Sequence, residues 1–392
     1  MKFQGLVIGV PKEIMQSENR VAATPDTVKK MVAEGAKVLV EVSAGKGAFF
    51  SDEQFSAAGA QMEPDVTKIF EQADVILKVK EPLFNETVGK HEAQMMRDGQ
   101  YLITFLHPAS PVNHEMIRQL AATGAISLTL DDIPRITRAQ AMDALSTMST
   151  VAGYKGLLSA ATRLPKFMPM TGTAVGVIKP ATVLVIGTGV SGLQSIATAK
   201  RLGAMVTGVD IRPDAAEQAR SLGAKTHDVG VPVELAVGEG GYANSLPEEW
   251  IVKERENLKE LVKNSDIVVL SALIPGKRAP ILVTEEMVKS MAPGSCIVDI
   301  SIDQGGNCEC TPAGKVEVVH GVTIDGTKNI PGSVPTSSTW MFSQNIYNLL
   351  AYLAKDGKII LDLNDEIIAS CLTTINKEVV HAGTLEAMGV RS

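Results

Sequence analysis

Cysteine, basic charge and long apolar runs are all scarce in this sequence of 392 residues. Its four cysteines form neither a CxxC pair nor a cluster with histidine at zinc-finger spacing, so the sequence supports neither a disulfide framework nor a metal site. We expect reduced thiols. A net charge of −7 argues against a surface for nucleic acid or anionic lipid, which leaves small molecules or other proteins as the expected partners. The cysteines are Cys296, Cys308, Cys310 and Cys371.

No apolar run reaches the roughly 18 residues that a membrane helix needs, and the first residues pass directly into a strand pattern without the apolar core of a signal peptide. We therefore expect a soluble, cytoplasmic chain. The 45% of hydrophobic residues against 21% of charged residues exclude a disordered or fibrous protein. At 392 residues the chain is too long for one compact core, which predicts two domains.

Short β-branched runs alternate with helix-forming stretches in the first third of the chain. A helix opened by Thr24, Pro25 and Asp26 lies between the first two runs. This alternation predicts one doubly wound α/β domain. The runs are 6–10, 37–42, 74–79, 101–106 and 125–130.

Two long helical patterns flank a second series of strands. Residues 138–164 carry small and apolar residues at helical spacing, and residues 336–357 are amphipathic and precede a short tail that we expect to return to the first domain. The predicted fold is α/β, with two Rossmann-like parallel-sheet domains joined by two long helices with a cleft between them. We place these domains at 1–137 plus 340–392 and at 138–339. The second series of strands is predicted at 181–187, 205–210, 266–272, 296–302 and 322–326.

A glycine-rich turn follows the first strand of the second domain. Gly187, Gly189 and Gly192 fit the GxGxxG pattern, in which the glycines permit a tight turn, approach to a pyrophosphate and close packing of helix on strand. Asp210 closes the next strand, where a carboxylate would bind the adenosine ribose and repel the 2′-phosphate of NADP. The pattern predicts an NAD site, although Arg212 leaves NADP open, and a turn without ligand is the plain alternative.

Three polar residues follow strands of the first domain at the ends where open α/β sheets bind ligands. Arg20 follows the first strand, and Lys80 and His107 close two later ones. A guanidinium and an ammonium could hold a carboxylate, and an imidazole could serve as general acid and base. Singly, each residue is better explained as a solvated or structural group, so the interpretation depends on their convergence from three adjacent strands.

Several segments together resemble one known family, that of the alanine dehydrogenases and nicotinamide nucleotide transhydrogenase α-subunits, over nearly the whole chain. The resemblance implies two α/β domains with NAD in the cleft between them. It also implies that Val190, Ala272 and Leu273 join the glycine turn in binding the cofactor. The segments are GVPKEI, ENRVAATP, KVKEP, PRITRAQAMDALS, GTGVSG, ALIPGK and GGNCE.

The chain is similar to the transhydrogenase branch at two segments. Residues 134–143 resemble the loop that directs the nicotinamide toward NADP(H) on a partner domain. Residues 238–243 resemble a mobile loop that closes over NAD(H), with Tyr242 as the lid residue, and a disordered surface insertion is the alternative here. This branch implies direct hydride transfer between two nicotinamides, which needs proximity and exclusion of water and neither an acid nor a base. The residues that would orient the nicotinamide are Arg135, Gln140, Asp143 and Ser146.

The chain is also similar to the alanine dehydrogenase branch. Arg20, Lys80 and His107 match its carboxylate-binding and acid–base residues, and Asp303 matches its cleft aspartate. This alternative implies NAD-dependent reductive amination of a small 2-oxo acid, with Asp303 near the reacting carbon. A third alternative is a sensor or scaffold that binds NAD without turnover.

We favour the transhydrogenase branch. It implies an NAD-dependent oxidoreductase that acts as a soluble component, forms a homodimer, and has as its partner a membrane subunit carrying the NADP(H)-binding domain. It also implies a cytoplasmic location, peripheral to the inner membrane through that partner, with neither nucleic-acid binding nor direct insertion into the membrane.

Overall fold

The computed structural model describes residues 1–238, 243–274 and 278–390. The chain divides into two compact units. The first unit joins the N-terminal 148 residues to the chain after Pro331, and the second unit runs from Ser149 to Pro331.

The strands of the described residues are short, and most follow the β-branched runs of the sequence. In chain order they are β1 Val7–Val10, β2 Lys37–Glu41, β3 Gln61–Glu63, β4 Val75–Leu77, β5 Phe84–Asn85, β6 Lys90–His91, β7 Tyr101–Thr104, β8 Ile126–Thr129, β9 Thr171–Thr173, β10 Gly176–Ile178, β11 Thr182–Ile186, β12 Met205–Val209, β13 Lys225–Thr226, β14 Ile267–Leu270, β15 Cys296–Asp299, β16 Val316–Val319, β17 Val322–Asp325, β18 Ala354–Lys355, β19 Lys358–Ile359, β20 Leu372–Ile375 and β21 Glu378–Val379.

The helices of the described residues alternate with these strands. In chain order they are α1 Pro25–Ala33, α2 Asp52–Ala57, α3 Val66–Gln72, α4 Glu92–Met95, α5 His114–Thr123, α6 Ala144–Arg163, α7 Val190–Arg201, α8 Pro213–Ser221, α9 Val233–Ala236, α10 Glu248–Lys263, α11 Glu285–Ser290, α12 Pro335–Leu353, α13 Glu366–Cys371 and α14 Ala382–Ala387. Short 3-10 helices lie at Lys46–Ala48, Pro111–Asn113, Thr137–Met142, Ile300–Gln304 and Ile330–Ser333.

The first unit is built on an eight-stranded sheet in the order β21-β20-β8-β7-β4-β1-β2-β3. The six strands from β8 to β3 pair in parallel, as βα alternation requires. The last two strands of the chain, β20 and β21, add to one edge in antiparallel pairing. The predicted return of the C-terminal tail to the first domain is therefore confirmed.

The second unit is built on a seven-stranded sheet in the order β13-β12-β11-β14-β15-β17-β16. All strands but the edge strand β16 pair in parallel. The strand order reverses between β11 and β14, and open α/β sheets bind ligands at such a point. The predicted α/β class with two parallel-sheet domains is confirmed.

Both long helices differ in length from the sequence prediction. α6 begins at Ala144 and not at residue 138, because the Asp143 carboxylate accepts a 2.8 Å hydrogen bond from the Ser146 N–H and so caps a helix start at this point. α12 ends at Leu353 and not at residue 357, because Asp356 and the glycine after it have positive φ angles and form the tight turn between β18 and β19.

The two compact units divide inside α6 and just before α12. The boundaries predicted from the sequence lie at 137/138 and 339/340, and they stay predictions about where the domains separate. α6 and α12 have 20 and 19 residues. Neither of them, nor any other helix in the described part of the chain, is both long and apolar enough to cross a membrane.

Candidate functional site

The glycine turn after β11 has one open glycine between two packed ones. A Cβ on Gly187, where φ is +86°, would lie 2.7 Å from the amide nitrogen of Ala272, and a Cβ on Gly192 would overlap the carbonyl oxygen of Gly187. A Cβ on Gly189 would meet no atom closer than Arg212 Nη2 at 3.8 Å. Two glycines are thus required by packing, and Gly189 presents bare backbone to open space, as approach to a pyrophosphate requires.

The N-terminus of α7 completes this turn. Gly189 is the extended N-cap residue, Val190 is the first helical residue, and no side chain of the described residues caps the helix. The first N–H groups of a helix have no intrahelical partners and carry partial positive charge, so this end can receive an anion. The Ser271 hydroxyl donates to the carbonyl of Gly187 at 2.7 Å and fixes the turn from below.

Asp210 lies directly after β12, beside the glycine turn, as predicted. Its carboxylate accepts hydrogen bonds from the backbone N–H of Thr188 at 2.8 Å and from that of Arg212 at 2.9 Å. The guanidinium of Arg212 donates to the same carboxylate through Nε and Nη2, each at 2.9 Å. The acidic group predicted to bind the ribose is therefore held by the turn and paired with the arginine that left NADP open.

Ala272 and Leu273 follow β14, across the point where the strand order reverses. The side chain of Asn307 holds Ala272 by both of its amide atoms: Oδ1 accepts from the Ala272 N–H at 3.0 Å, and Nδ2 donates to the Ala272 carbonyl at 2.9 Å. Asn307 is fully buried, and the sequence reasoning assigned it no role. Its only sequence mark was its place in the GGNCE segment.

Asp299 at the end of β15 organises the loop that carries both Asn307 and Asp303. Its buried carboxylate accepts from the Asn307 N–H at 2.8 Å and from the Thr311 hydroxyl at 2.8 Å. Burial raises the pKa of Asp299 although these hydrogen bonds lower it. Asp303, predicted as the cleft aspartate of the alternative function, is exposed in the following 3-10 helix and accepts from the Asn329 N–H at 3.3 Å.

The strand-end residues of the first unit follow three neighbouring strands, because β1, β4 and β7 are adjacent in its sheet. Arg20 is buried, and its guanidinium makes a two-pronged pair with Glu18 through Nε to Oε1 at 2.7 Å and Nη2 to Oε2 at 2.6 Å. Its Nη1 lies 3.1 Å from the sulfur of Met148. The positive charge of Lys80 opposes protonation of His107, which places these two side chains near each other.

His107 forms a pair with an aspartate that sequence reasoning missed. Its Nδ1 lies 2.7 Å from Asp131 Oδ1, and its backbone N–H donates to Asp131 Oδ2 at 2.8 Å, which supports the unusual φ of +46°. The ring stacks on Phe105, and Nε2 lies 4.0 Å from the carboxylate of Glu81. Burial lowers the pKa of His107, but Asp131 raises it more, and His107 in turn brings the pKa of Asp131 to about 2 against the effect of burial.

A second missed feature is a buried ion cluster around Lys78, two residues before the predicted Lys80. Its Nζ lies 3.2 Å from a carboxylate oxygen of Glu13 and 3.2 Å from one of Glu92. Glu13 also accepts from the backbone N–H of Val79 at 2.6 Å, so the cluster fixes the backbone that carries Lys80. Burial raises the pKa of Glu13 to about 7. A lysine inside the apolar run 74–79 was the sequence feature that could have revealed it.

The loop predicted to orient the nicotinamide lies in the first unit. Arg135 and Gln140 are exposed, whereas Asp143 and Ser146 form the helix cap of α6 and are partly buried. The loop is thus split between two surface side chains and two residues that define its end. Tyr242, the predicted lid residue, lies outside the described residues.

This loop is held firmly by the C-terminal portion of the first unit. Asn345 and Asn348 of α12 each donate to the carbonyl of Ala141 at 3.0 Å. Arg138 pairs with Asp365 at 3.0 Å and with Glu366 at 3.1 Å. The exposed side chains of the loop therefore stand on a fixed backbone.

Comparison with known proteins gives relatives along almost the whole chain. It is 41% identical over 378 residues to an NAD(P) transhydrogenase subunit alpha of Rhodospirillum rubrum, covering 95% of this chain and 97% of that one. It is 32% identical over 391 residues to the alanine dehydrogenase of Methanococcus maripaludis, covering 97% and 96%. The crystal structure of transhydrogenase from Sinorhizobium meliloti matches with a TM-score of 0.81 and 35% identity over 96% of this chain and 99% of that chain.

Two family models account for most of the sequence. The N-terminal domain model of alanine dehydrogenase/PNT matches residues 9–152, and the corresponding C-terminal domain model matches residues 156–382. These matches confirm the resemblance inferred from the sequence segments. The chain therefore belongs to the alanine dehydrogenase/PNT family.

Proposed function

We propose that this chain is the NAD(H)-binding component of a nicotinamide nucleotide transhydrogenase, in which hydride passes directly between NAD(H) and NADP(H) bound on a partner domain. The observation that carries the proposal is the identity of 41% to a transhydrogenase subunit, against 32% to an alanine dehydrogenase. Both branches are NAD-dependent oxidoreductases, so the enzyme class and the cofactor NAD do not depend on the choice between them.

The second unit offers a cradle that suits NAD. The open backbone at Gly189 and the N-terminus of α7 would receive the pyrophosphate, and Asp210 would accept hydrogen bonds from the adenosine ribose. Ala272 and Leu273, held by Asn307, would bound the site on the side of β14. When bound, the nicotinamide gives or takes the hydride.

The first unit would orient the nicotinamide. The exposed Arg135 and Gln140, on a backbone fixed by α12, would bind and position the ring toward the partner's nucleotide, and Asp143 and Ser146 would set the end of their loop. Hydride transfer between two nicotinamides moves no proton, so these residues need only to position the ring and exclude water. Tyr242 would close over the cofactor, on the strength of its sequence alone.

The partner in this proposal is a membrane subunit with an NADP(H)-binding domain. The chain would act as a homodimer at the cytoplasmic face of the inner membrane, bound there through that subunit. Identity to a protein named as an alpha subunit supports a multi-subunit assembly.

The test compares two reactions of the purified chain. Alone, it should not oxidise alanine, and with an added NADP(H)-binding partner domain it should transfer hydride to an NAD analogue. Gln140→Ala should severely reduce that transfer, and His107→Ala should leave it nearly unchanged. Alanine oxidation by the isolated chain above about 1 per second would overturn the proposal.

A second candidate function is an NAD-dependent L-alanine dehydrogenase, favoured by the paired His107 and Asp131 beside Lys80. An imidazole with an aspartate on Nδ1 can pass a proton through Nε2, which reductive amination needs and transhydrogenation does not. Arg20 and Lys80 would hold the carboxylate of the 2-oxo acid, and Asp303 would lie near the reacting carbon. For such an enzyme His107→Ala would lower turnover by about two to four orders of magnitude and leave NADH affinity within a few-fold.

A further inference from the structure

The carboxylate of Asp210 has no vacant acceptor position left for a ribose. Oδ1 accepts from Arg212 N and Nε, and Oδ2 accepts from Thr188 N and Arg212 Nη2, all at 2.8 to 2.9 Å. A carboxylate has about four lone-pair sites, so these four donors fill them. The side chain of Asp210 is only 4% exposed and that of Arg212 15%. The pair is therefore an ordered, largely dry contact.

The four donors differ in how they can be replaced. The N–H groups of Thr188 and Arg212 belong to the backbone of the glycine turn and of the strand end. Nε and Nη2 belong to the guanidinium of Arg212, which can leave Asp210 by side-chain rotation alone. They occupy one site on each carboxylate oxygen, and the 2′- and 3′-hydroxyls of a ribose are likewise two neighbouring donors.

We propose that Arg212 determines cofactor specificity by competing with the adenosine ribose for Asp210. The inference rests on the proposed NAD(H)-binding function. In the free protein the guanidinium holds the two acceptor sites that the ribose diol needs, and the dinucleotide binds by displacing it. The guanidinium also lies beside the turn, since its Nη2 is 3.8 Å from the position of a Cβ on Gly189.

Displacement of Arg212 affects the two dinucleotides in opposite directions. A 2′-phosphate accepts hydrogen bonds and carries negative charge, so it cannot replace the guanidinium on Asp210 but can pair with the guanidinium itself. Glu254, buried on α10, adds to the negative field: burial and the charge of Asp210 raise its pKa to about 7. Arg212 thus weakens NADH binding and moderates the exclusion of NADPH.

The experiment measures the dissociation constants of NADH and NADPH by fluorescence titration of the full chain, without any turnover. Arg212→Leu should bind NADH about three- to tenfold more tightly, because the diol no longer displaces a charged donor. It should bind NADPH more weakly, so that the ratio of the two constants widens by about tenfold or more. Arg212→Lys, which keeps the charge without the planar fork, should tighten NADH binding while NADPH affinity stays near that of wild type.

Arg220→Leu is the matched control. Arg220 lies on α8 in the same unit and pairs with the exposed Glu217, so this variant removes the same charge away from Asp210 and should leave the ratio unchanged. Competition by AMP and 2′-deoxy-AMP confines the test to the adenosine end. The gain from Arg212→Leu should be larger for AMP, since only AMP presents both hydroxyls.

Two results would overturn the competition. One is weaker NADH binding by both Arg212→Leu and Arg212→Lys with unchanged melting temperatures, which would make Arg212 a supporting contact. The other is an equal gain for AMP and 2′-deoxy-AMP, which would reduce the effect to general charge. If Arg212→Leu does not fold, Arg212→Lys carries the test. Failure of the wild-type chain to bind NADH would instead refute the proposed function.

Discussion

Replacing Lys78 with methionine tests how the strand ends of the first unit are held together. The lysine is completely buried, and its Nζ lies 3.2 Å from Glu13 and 3.2 Å from Glu92, whose side chains are also buried. Removing it leaves two carboxylates in the interior without a cation. Breaking a buried ion pair in this way costs about 3–5 kcal/mol of unfolding free energy.

The cost should depend on pH with a definite sign. Burial has already raised the pKa of Glu13 to about 7 in wild type, and loss of the lysine charge raises it further. A carboxyl whose folded pKa is raised stabilises the fold below its unfolded pKa, and this stabilisation is lost as the pH rises through the folded value. Lys78→Met should therefore be more damaging at pH 8 than at pH 5.

Urea unfolding can follow the first unit alone. The sequence has two tryptophans, and Trp250→Phe leaves Trp340, on α12 of the first unit, as the sole reporter. Lys29→Met, on the exposed face of α1, controls for loss of one lysine. A loss below about 1 kcal/mol at pH 8, or equal losses at both pH values, would refute the reasoning.

Three further predictions concern single groups. Gly192→Ala should abolish measurable NADH binding because its Cβ would overlap a carbonyl oxygen of the turn, and the control Gly172→Ala, where a Cβ meets no atom within 4 Å, should bind as wild type in the same titration. Asn307→Leu should destabilise the second unit by about 2–4 kcal/mol in urea unfolding followed by Trp250, because buried backbone groups lose their partners. Asp131→Asn should lower the pKa of the neighbouring histidine in an NMR titration, and an unchanged value would contradict the pairing.

The features of the site that follow from local sequence were predicted well. The alternation of β-branched runs and helices indicated both parallel sheets, since the period of a strand and the spacing of a helix are properties of a few neighbouring residues. The turn from Gly187 to Gly192 and the acid at Asp210 lie where the fingerprint places them, because this turn needs glycine at fixed positions.

The features that depend on distant residues were missed. Asp131 is 24 residues from His107, and Asn307 is 35 residues from Ala272, so no short pattern links either pair. Lys78 was missed for a different reason. A lysine within an apolar run does not by itself distinguish a buried charge from an ordinary strand residue, and only the positions of Glu13 and Glu92 show that it is charged and buried.

The pairing of His107 with Asp131 has a structural role that both candidate functions share. Asp131 accepts from the backbone N–H groups of Leu106 and His107 at 3.0 and 2.8 Å, and so holds a backbone turn with positive φ after β7. The aspartate is therefore needed for the fold even where no proton moves. Only a dehydrogenase would also use the imidazole, so the pH profile of turnover should follow the pKa of His107 in that enzyme and should ignore it in a transhydrogenase. The pH profile thus separates two functions that the stability of an Asp131 variant cannot.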